Sequence, residues 1–183
     1  MPHEGAAQYQ EAIISFPFCE DLYLAHKKVL AVTGRYPGIV YSRVGVAGNF
    51  DGAILRAMPG VSFPDRIVGA AHTLTDGATL LARGGFRMIQ RTNTGYQMPE
   101  PDEAMRQWIA LLTVGGFSAD AGNTVMAEES LSFFYPDQDR DIVLPFWKVT
   151  SKLIVTDAEK AAAAMVRGIG RNLWLGFGMI ILS

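Results

Sequence analysis

A chain of 183 residues, 49% hydrophobic and 19% charged, has apolar mass enough for one large domain or two small ones. Its net charge of −2 argues mildly against nucleic acid as a partner, and no apolar run reaches membrane-spanning length. The opening MPHEGAAQYQEAIISF lacks the basic start and apolar core of a signal peptide, so a cytoplasmic protein with no membrane partner is expected. One cysteine, Cys19, excludes an internal disulfide framework and reads as a small buried hydrophobe.

In chain order, Glu11–Phe18 (EAIISFPF) reads as a strand with Pro17 near its end. Asp21 opens a helix, DLYLAHKKVLAVTG, which carries Lys27 and Lys28 and stops at Gly34. Ile39–Val44 and Ala53–Ala57 read as a hairpin joined through Gly48-Asn49-Phe50-Asp51-Gly52. Pro64–Ala71 is expected as a short second helix, and Thr79–Arg91 as a strand broken at Gly84-Gly85. That is the order β-α-β-β-α-β of a ferredoxin-like unit.

The order recurs. Pro101–Val114 is an amphipathic helix started by Pro, Asp and Glu and ended by Gly115-Gly116. Val125–Phe134 and Phe146–Val155 read as strands. Asp157 caps the helix AEKAAAAMVR, Gly168 ends it, and Leu173–Leu182 closes the chain as a strand. This second run borrows a strand near Phe86–Arg91. The expected fold class is α+β, two tandem ferredoxin-like (RRM-like, βαββαβ) domains, residues 1–93 and 94–183. No repeat is visible in the residues themselves, so the duplication rests on element order alone.

Three histidines and one cysteine, none closely spaced, give no metal site and imply no cofactor. There is no Walker loop and no Gly-x-Ser-x-Gly elbow. The glycines of GIGRNLWLGFG, residues 168–178, do not fit a dinucleotide fingerprint, because they follow a helix and open a strand. Three readings of that stretch stay open. It is a helix stop with a closely packed strand, an anion-binding loop, or an interface anchored by Trp174 and Phe177. In the second reading Gly168, Gly170, Gly176 and Gly178 expose backbone N–H groups, Arg171 adds charge and Asn172 adds hydrogen bonds.

The other constellation is Tyr23-x-x-His26-Lys27-Lys28. A spacing of three puts phenol and imidazole on one helix face. A phenol, an imidazole and ammonium groups together move protons near neutral pH and hold a phosphate. The plainer reading is a half-exposed aromatic beside a solvated histidine. His72 stands next in line should His26 prove silent, and His3 lies in the terminal segment. Residues 21–91 hold nine Lys/Arg against four acids, while both flanks are acidic. That pattern fits either a local polyanion site or ordinary surface scatter.

Together the two constellations resemble one family, the subtype-E CRISPR repeat-processing endoribonucleases of the RAMP superfamily. The family opens on a strand and an Asp-Leu-Tyr-x-x-His helix, here AIISFPFCEDLYLAH. It closes on a strand, a helix, a Gly-Ile-Gly loop and a last strand, here SKLIVTDAEKAAAAMVRGIGRNLWLGFGMIILS. AILRAMPG is similar to its second-hairpin segment, and Arg91-Thr92-Asn93 to its Arg-x-Asn strand end. The resemblance runs with gaps over nearly the whole chain.

The resemblance implies metal-independent cleavage of precursor CRISPR RNA at a repeat hairpin, by attack of a 2′-OH on its own phosphate. The products would be a 2′,3′-cyclic phosphate and a 5′-OH. It implies His26 as acid/base and Tyr23 as its helper; the charge beside them adds Lys27 or Lys28 as the residue expected on the phosphate. Arg83, Arg87 and Arg91 would contact RNA phosphates from one strand beside the glycine loop. The implied partners are the repeat hairpin and other subunits of a CRISPR effector complex, and a related CRISPR type sharing this processing subunit fits as well. Three departures stand out. Leu173 occupies the position of a family lysine, Asn93-Thr94 replaces Asn-Pro, and the pI near 5.9 is low for an RNA binder. Two alternatives stay beside the endoribonuclease. One is a hairpin-binding subunit without activity; the other is an unrelated ferredoxin-like protein that binds a ligand or protein.

Overall fold

The computed structural model describes residues 5–19, 21–34, 39–45, 50–64, 67–93, 95–170 and 178–182. The chain begins with strand β1 (Ala6–Pro17) and helix α1 (Leu22–Thr33). Strands β2 (Ile39–Gly45), β3 (Phe50–Ala57) and β4 (Ala70–Thr75) complete an antiparallel sheet of order β2-β3-β1-β4. Its own strands thus stand in the order 2-3-1-4 of a ferredoxin-like unit. α1 covers one face. Ala25 and Val29 meet Ala12, Ile14, Phe16, Ala53 and Leu55 in a core that also takes in Cys19.

The helix expected over Pro64–Ala71 does not form. The described part of that stretch has one turn, Ile67 N–H to the Pro64 carbonyl, and then extends into β4. Phe63 and Ile67 pack on the core instead. β4 pairs with the first half of β1, from Ala6↔Thr75 to Glu11↔Ala70, so β1 starts five residues earlier than its apolar run indicates. Backbone pairing decides here, since Ala70–Thr75 buries only Leu74 and carries little periodic signal.

The second sheet has strand order β10-β5-β9-β8, built from β5 (Thr79–Phe86), β8 (Phe117–Tyr135), β9 (Arg140–Val155) and β10 (Ile181–Leu182). Helices α2 (Pro101–Val114) and α3 (Ala158–Arg167) fall after its first and third strands, again the ferredoxin-like order. The strand beginning at Thr79, expected to close the first unit, therefore belongs to the second. It also runs unbroken through Gly84-Gly85. A short ribbon of β6 (Gln90–Thr92) and β7 (Gly95–Gln97) links β5 to α2. Of the closing strand expected over Leu173–Leu182, Ile181–Leu182 is strand and residues 171–177 lie outside the described residues.

α3 explains its own alanines. Asp157 caps it, and Ala158, Ala161, Ala162, Ala164, Met165 and Val166 are all buried. Small side chains let the helix touch both halves of the molecule at once. The same core cluster holds Tyr9 and Leu74 from the first sheet and Trp108, Leu112, Leu153 and Val155 from the second unit. β8 and β9 then run on as a long ribbon, paired from Phe117↔Val155 to Tyr135↔Arg140 with a bulge between Ala119 and Thr124. Its far end reaches α1. Among the described residues no helix is long and apolar enough to cross a membrane.

Candidate active site

Asp21 fixes the start of α1 in two directions. One carboxylate oxygen accepts the Leu24 N–H at 2.8 Å, capping the helix; the other accepts the Phe134 N–H of β8 at 3.3 Å. The first turn of α1 is thereby tied to the ribbon. Tyr23 follows into the contact. Its ring meets Tyr135 edge-on, with centroids 5.4 Å apart and planes at 79°, beside the small core of Phe133 and Leu144. Aromatic pairs favour this geometry, since the positive edge of one ring faces the negative face of the other.

Lys27 places its Nζ 4.5 Å from the centroid of the Tyr23 ring. His26 stands three residues on from Tyr23, half-buried, on the same side of the helix. Burial pushes its imidazole below the ordinary 6.5, because the charged form loses hydration. At neutral pH it is a neutral ring able to accept a proton. Lys28 turns the other way, donating to the Pro17 carbonyl at the end of β1 at 3.1 Å. Of the four residues singled out on α1, Tyr23 and Lys27 are in contact, His26 shares their side, and Lys28 is committed to β1.

The two described ends of the glycine stretch, Gly168–Gly170 and Gly178, lie beside the end of β5. Gly168, Gly170 and Gly178 have φ of 77°, 93° and 80°, a region costly for residues with a Cβ. The Ile169 N–H donates to the Gly178 carbonyl at 2.6 Å, and the Gly178 N–H to the Gly85 carbonyl at 2.8 Å. Arg171, Asn172 and Gly176 lie outside the described residues. Arg83, Arg87 and Arg91 do not share one strand. Arg83 is exposed on β5, Arg87 is half-buried just past its end, and Arg91 is exposed on β6. Arg87 and Gly170 do come together. They line a cleft of about 460 Å³ with Met88, Gln107 and Leu111.

The ribbon spaces the two regions. Gly85 pairs with Lys148, and Phe134 with Asp141. The seven residue steps of β9 from Asp141 to Lys148 amount to about 23 Å of extended chain.

Three features carry no signal in the sequence. Tyr135 is a tyrosine before a Pro-Asp turn, and nothing local says that it meets Tyr23. The second bond of Asp21 is equally silent. Arg56 reads as one more base of the basic stretch, yet it is 1% exposed and joined to both halves of the molecule. His72 lies exposed on β4 and stacks on Tyr9 at 5.2 Å. Among the described residues no group of three or more His, Cys, Asp or Glu is arranged to hold a metal ion.

Two sheets of like strand order, joined through α3, define a tandem ferredoxin-like protein. Solved structures with this architecture include Thermus thermophilus Cse3 bound to an RNA representing a pre-cleavage complex. It is 14% identical with a TM-score of 0.69, over 97% of this chain and 99% of that one. The CRISPR-associated protein Cas6e from Escherichia coli is 13% identical with a TM-score of 0.66, over 96% of this chain and 98% of that one. A chain of a CRISPR RNA-guided surveillance complex is 13% identical with a TM-score of 0.66, over 95% of this chain and 98% of that one. No family model and no curated protein matches the sequence. The likeness is therefore one of fold, carried end to end.

Proposed function

We propose that this chain is an endoribonuclease that cleaves precursor CRISPR RNA at repeat hairpins, without a metal ion, and stays on its product. The observation that carries this reading is the Tyr23, His26 and Lys27 side of α1, held against the ribbon in a fold shared over its whole length with an RNA-bound Cse3. In this reading neutral His26 takes the proton of the 2′-OH, whose oxygen attacks the adjacent phosphorus. The P–O5′ bond breaks, and the departing oxygen takes a proton from the Tyr23 phenol. The products are a 2′,3′-cyclic phosphate and a 5′-OH. The imidazolium proton then returns to the phenolate through solvent. Only RNA supplies the nucleophile, so DNA is not a substrate.

Lys27 offsets the negative charge that develops on the phosphoryl oxygens. The commitment of Lys28 to the Pro17 carbonyl supports that choice between the two lysines. The RNA backbone runs along the glycine segment, Gly168, Gly170, Arg171, Asn172, Gly176 and Gly178, with Arg83, Arg87 and Arg91 as phosphate contacts. Retention of the product makes the protein a subunit of a CRISPR effector complex in the cytoplasm.

The test is cleavage of the cognate repeat hairpin in EDTA. Wild type, His26→Ala and a substrate with 2′-deoxy at the scissile nucleotide are run together. Cleavage that both changes stop supports the reading. Tight binding without cleavage by the wild type makes the protein a hairpin-binding subunit instead.

A further inference from the structure

Arg56 lies on β3 with its side chain 1% exposed. Its Nε donates to a Glu11 carboxylate oxygen at 2.7 Å, across the β1–β3 pair. Its Nη1 donates to two carbonyls of the other unit, Ile180 and, at 3.5 Å, Met165. Its guanidinium also sits 5.4 Å from the centre of the Tyr9 ring. The two carbonyls are the point. Met165 precedes Gly168 and Ile180 follows Gly178, so one guanidinium holds both ends of the glycine segment. Between them the segment is closed by the Ile169–Gly178 bond. A planar fork of donors does this; a lysine ammonium, one compact point of charge, does not reproduce it.

The first sheet also carries α1 on its opposite face. In β1, Ala12, Ile14 and Phe16 point to α1, and Glu11 points the other way. Arg56 therefore couples the glycine segment to the sheet on which the Tyr23 and His26 helix rests. We propose that Arg56, neutralised by Glu11, is a positioning residue, setting where the two described ends of the glycine segment, Gly168–Gly170 and Gly178–Ile180, stand relative to α1. This rests on the endoribonuclease reading for its consequence, since the segment would hold RNA while α1 cuts it. Lengthening or loosening the clamp leaves the RNA bound but sets its scissile phosphate off line from His26.

The experiment compares wild type with Arg56→Lys and Arg56→Met, the second keeping the buried site apolar if the first does not fold. Amide hydrogen exchange is read without RNA, and single-turnover cleavage is read at saturating repeat hairpin, well below the unfolding midpoint. Faster exchange at Ile169 and Gly178, with α1 and the β8–β9 ribbon unchanged, is expected, together with a fall of tenfold or more in the saturating rate. A role confined to stability leaves the saturating rate of the folded protein unmoved, and that result overturns the proposal. So does unchanged exchange at Ile169 and Gly178. Should the wild type neither bind nor cleave the hairpin, the endoribonuclease reading falls and the positioning role in cleavage falls with it. The exchange arm still decides whether Arg56 fixes the segment.

Discussion

Tyr135, at the tip of the β8–β9 ribbon, meets Tyr23 of α1 edge-on at 5.4 Å. A side chain of the second unit thus sets the position of a residue on the helix of the first. Tyr135→Ala removes the edge contact, worth about 0.5–1.5 kcal/mol beyond area burial, and frees the Tyr23 ring. Tyr135→Phe keeps it. Cleavage at saturating RNA is expected to fall in the alanine variant and to hold in phenylalanine, with unfolding midpoints measured on both. Equal rates in all three proteins would remove Tyr135 from any part in positioning.

The imidazole of His26 is held below 6.5 by burial, and two consequences follow with fixed sign. In the proposed reaction His26 is a base that works neutral, so the acid limb of the pH–rate profile is expected below that of an exposed histidine. For stability, the unfolded chain binds the proton more readily than the folded one. The contribution is complete above about 6.5 and is lost as pH falls through the lower folded value. His26→Gln is expected to flatten that part of the pH–stability curve. His26→Ala is expected to lose about 10²–10⁴ of the cleavage rate with hairpin affinity nearly unchanged. A single-turnover profile from pH 4.5 to 8 checks the first, and thermal unfolding over the same range the second.

Lys27 and Lys28 are neighbours in sequence with opposite commitments. Lys27 lies over the Tyr23 ring, while Lys28 binds the Pro17 carbonyl. Lys27→Ala is expected to lower cleavage at saturating RNA at least tenfold more than Lys28→Ala does. Lys28→Ala should show mainly a small loss of stability, since its bond is exposed. A reversed order in the rates would move the phosphate contact to Lys28.

Much of the architecture was legible because local signals and tertiary structure agree. Pro101 and Gly115-Gly116 bound α2, and Asp157 and Gly168 bound α3, as propensity and capping rules require. The helix expected over Pro64–Ala71 misled for a physical reason. A strand whose side chains are mostly exposed needs no apolar pattern, so β4 is specified by its pairing with β1 and not by its residues. Gly84-Gly85 misled for a related reason, since glycine in a strand marks a break or a close crossing, and only the partner decides which. The candidate site divides the same way. Tyr23, His26 and Lys27 are local in sequence and readable from helical spacing. Tyr135 meets Tyr23 from 112 residues away, and Arg56 reaches the carbonyls of Met165 and Ile180 from 109 and 124, which no local pattern encodes.

Gly84 shows what the crossing requires. A Cβ at this position would stand 2.6 Å from the Met179 carbonyl oxygen and 3.0 Å from the Phe86 ring. The first neighbour is backbone, and it belongs to the stretch that the Gly178 N–H ties to the Gly85 carbonyl. Phe86 is itself locked against Trp108 in the core, with ring centroids at 4.2 Å. Neither side can give way freely, so Gly84→Ala pushes the C-terminal segment off β5. A loss of about 1–3 kcal/mol is expected, the usual cost of forcing extra volume into a packed site. Gly77→Ala serves as the control, because its φ of 81° is strained for alanine yet nothing lies within 4 Å of its Cβ. Its loss reports backbone strain without the clash. Chemical denaturation of the two variants separates the terms, and a Gly84 loss no larger than a few tenths would mean that the crossing tolerates a methyl group after all.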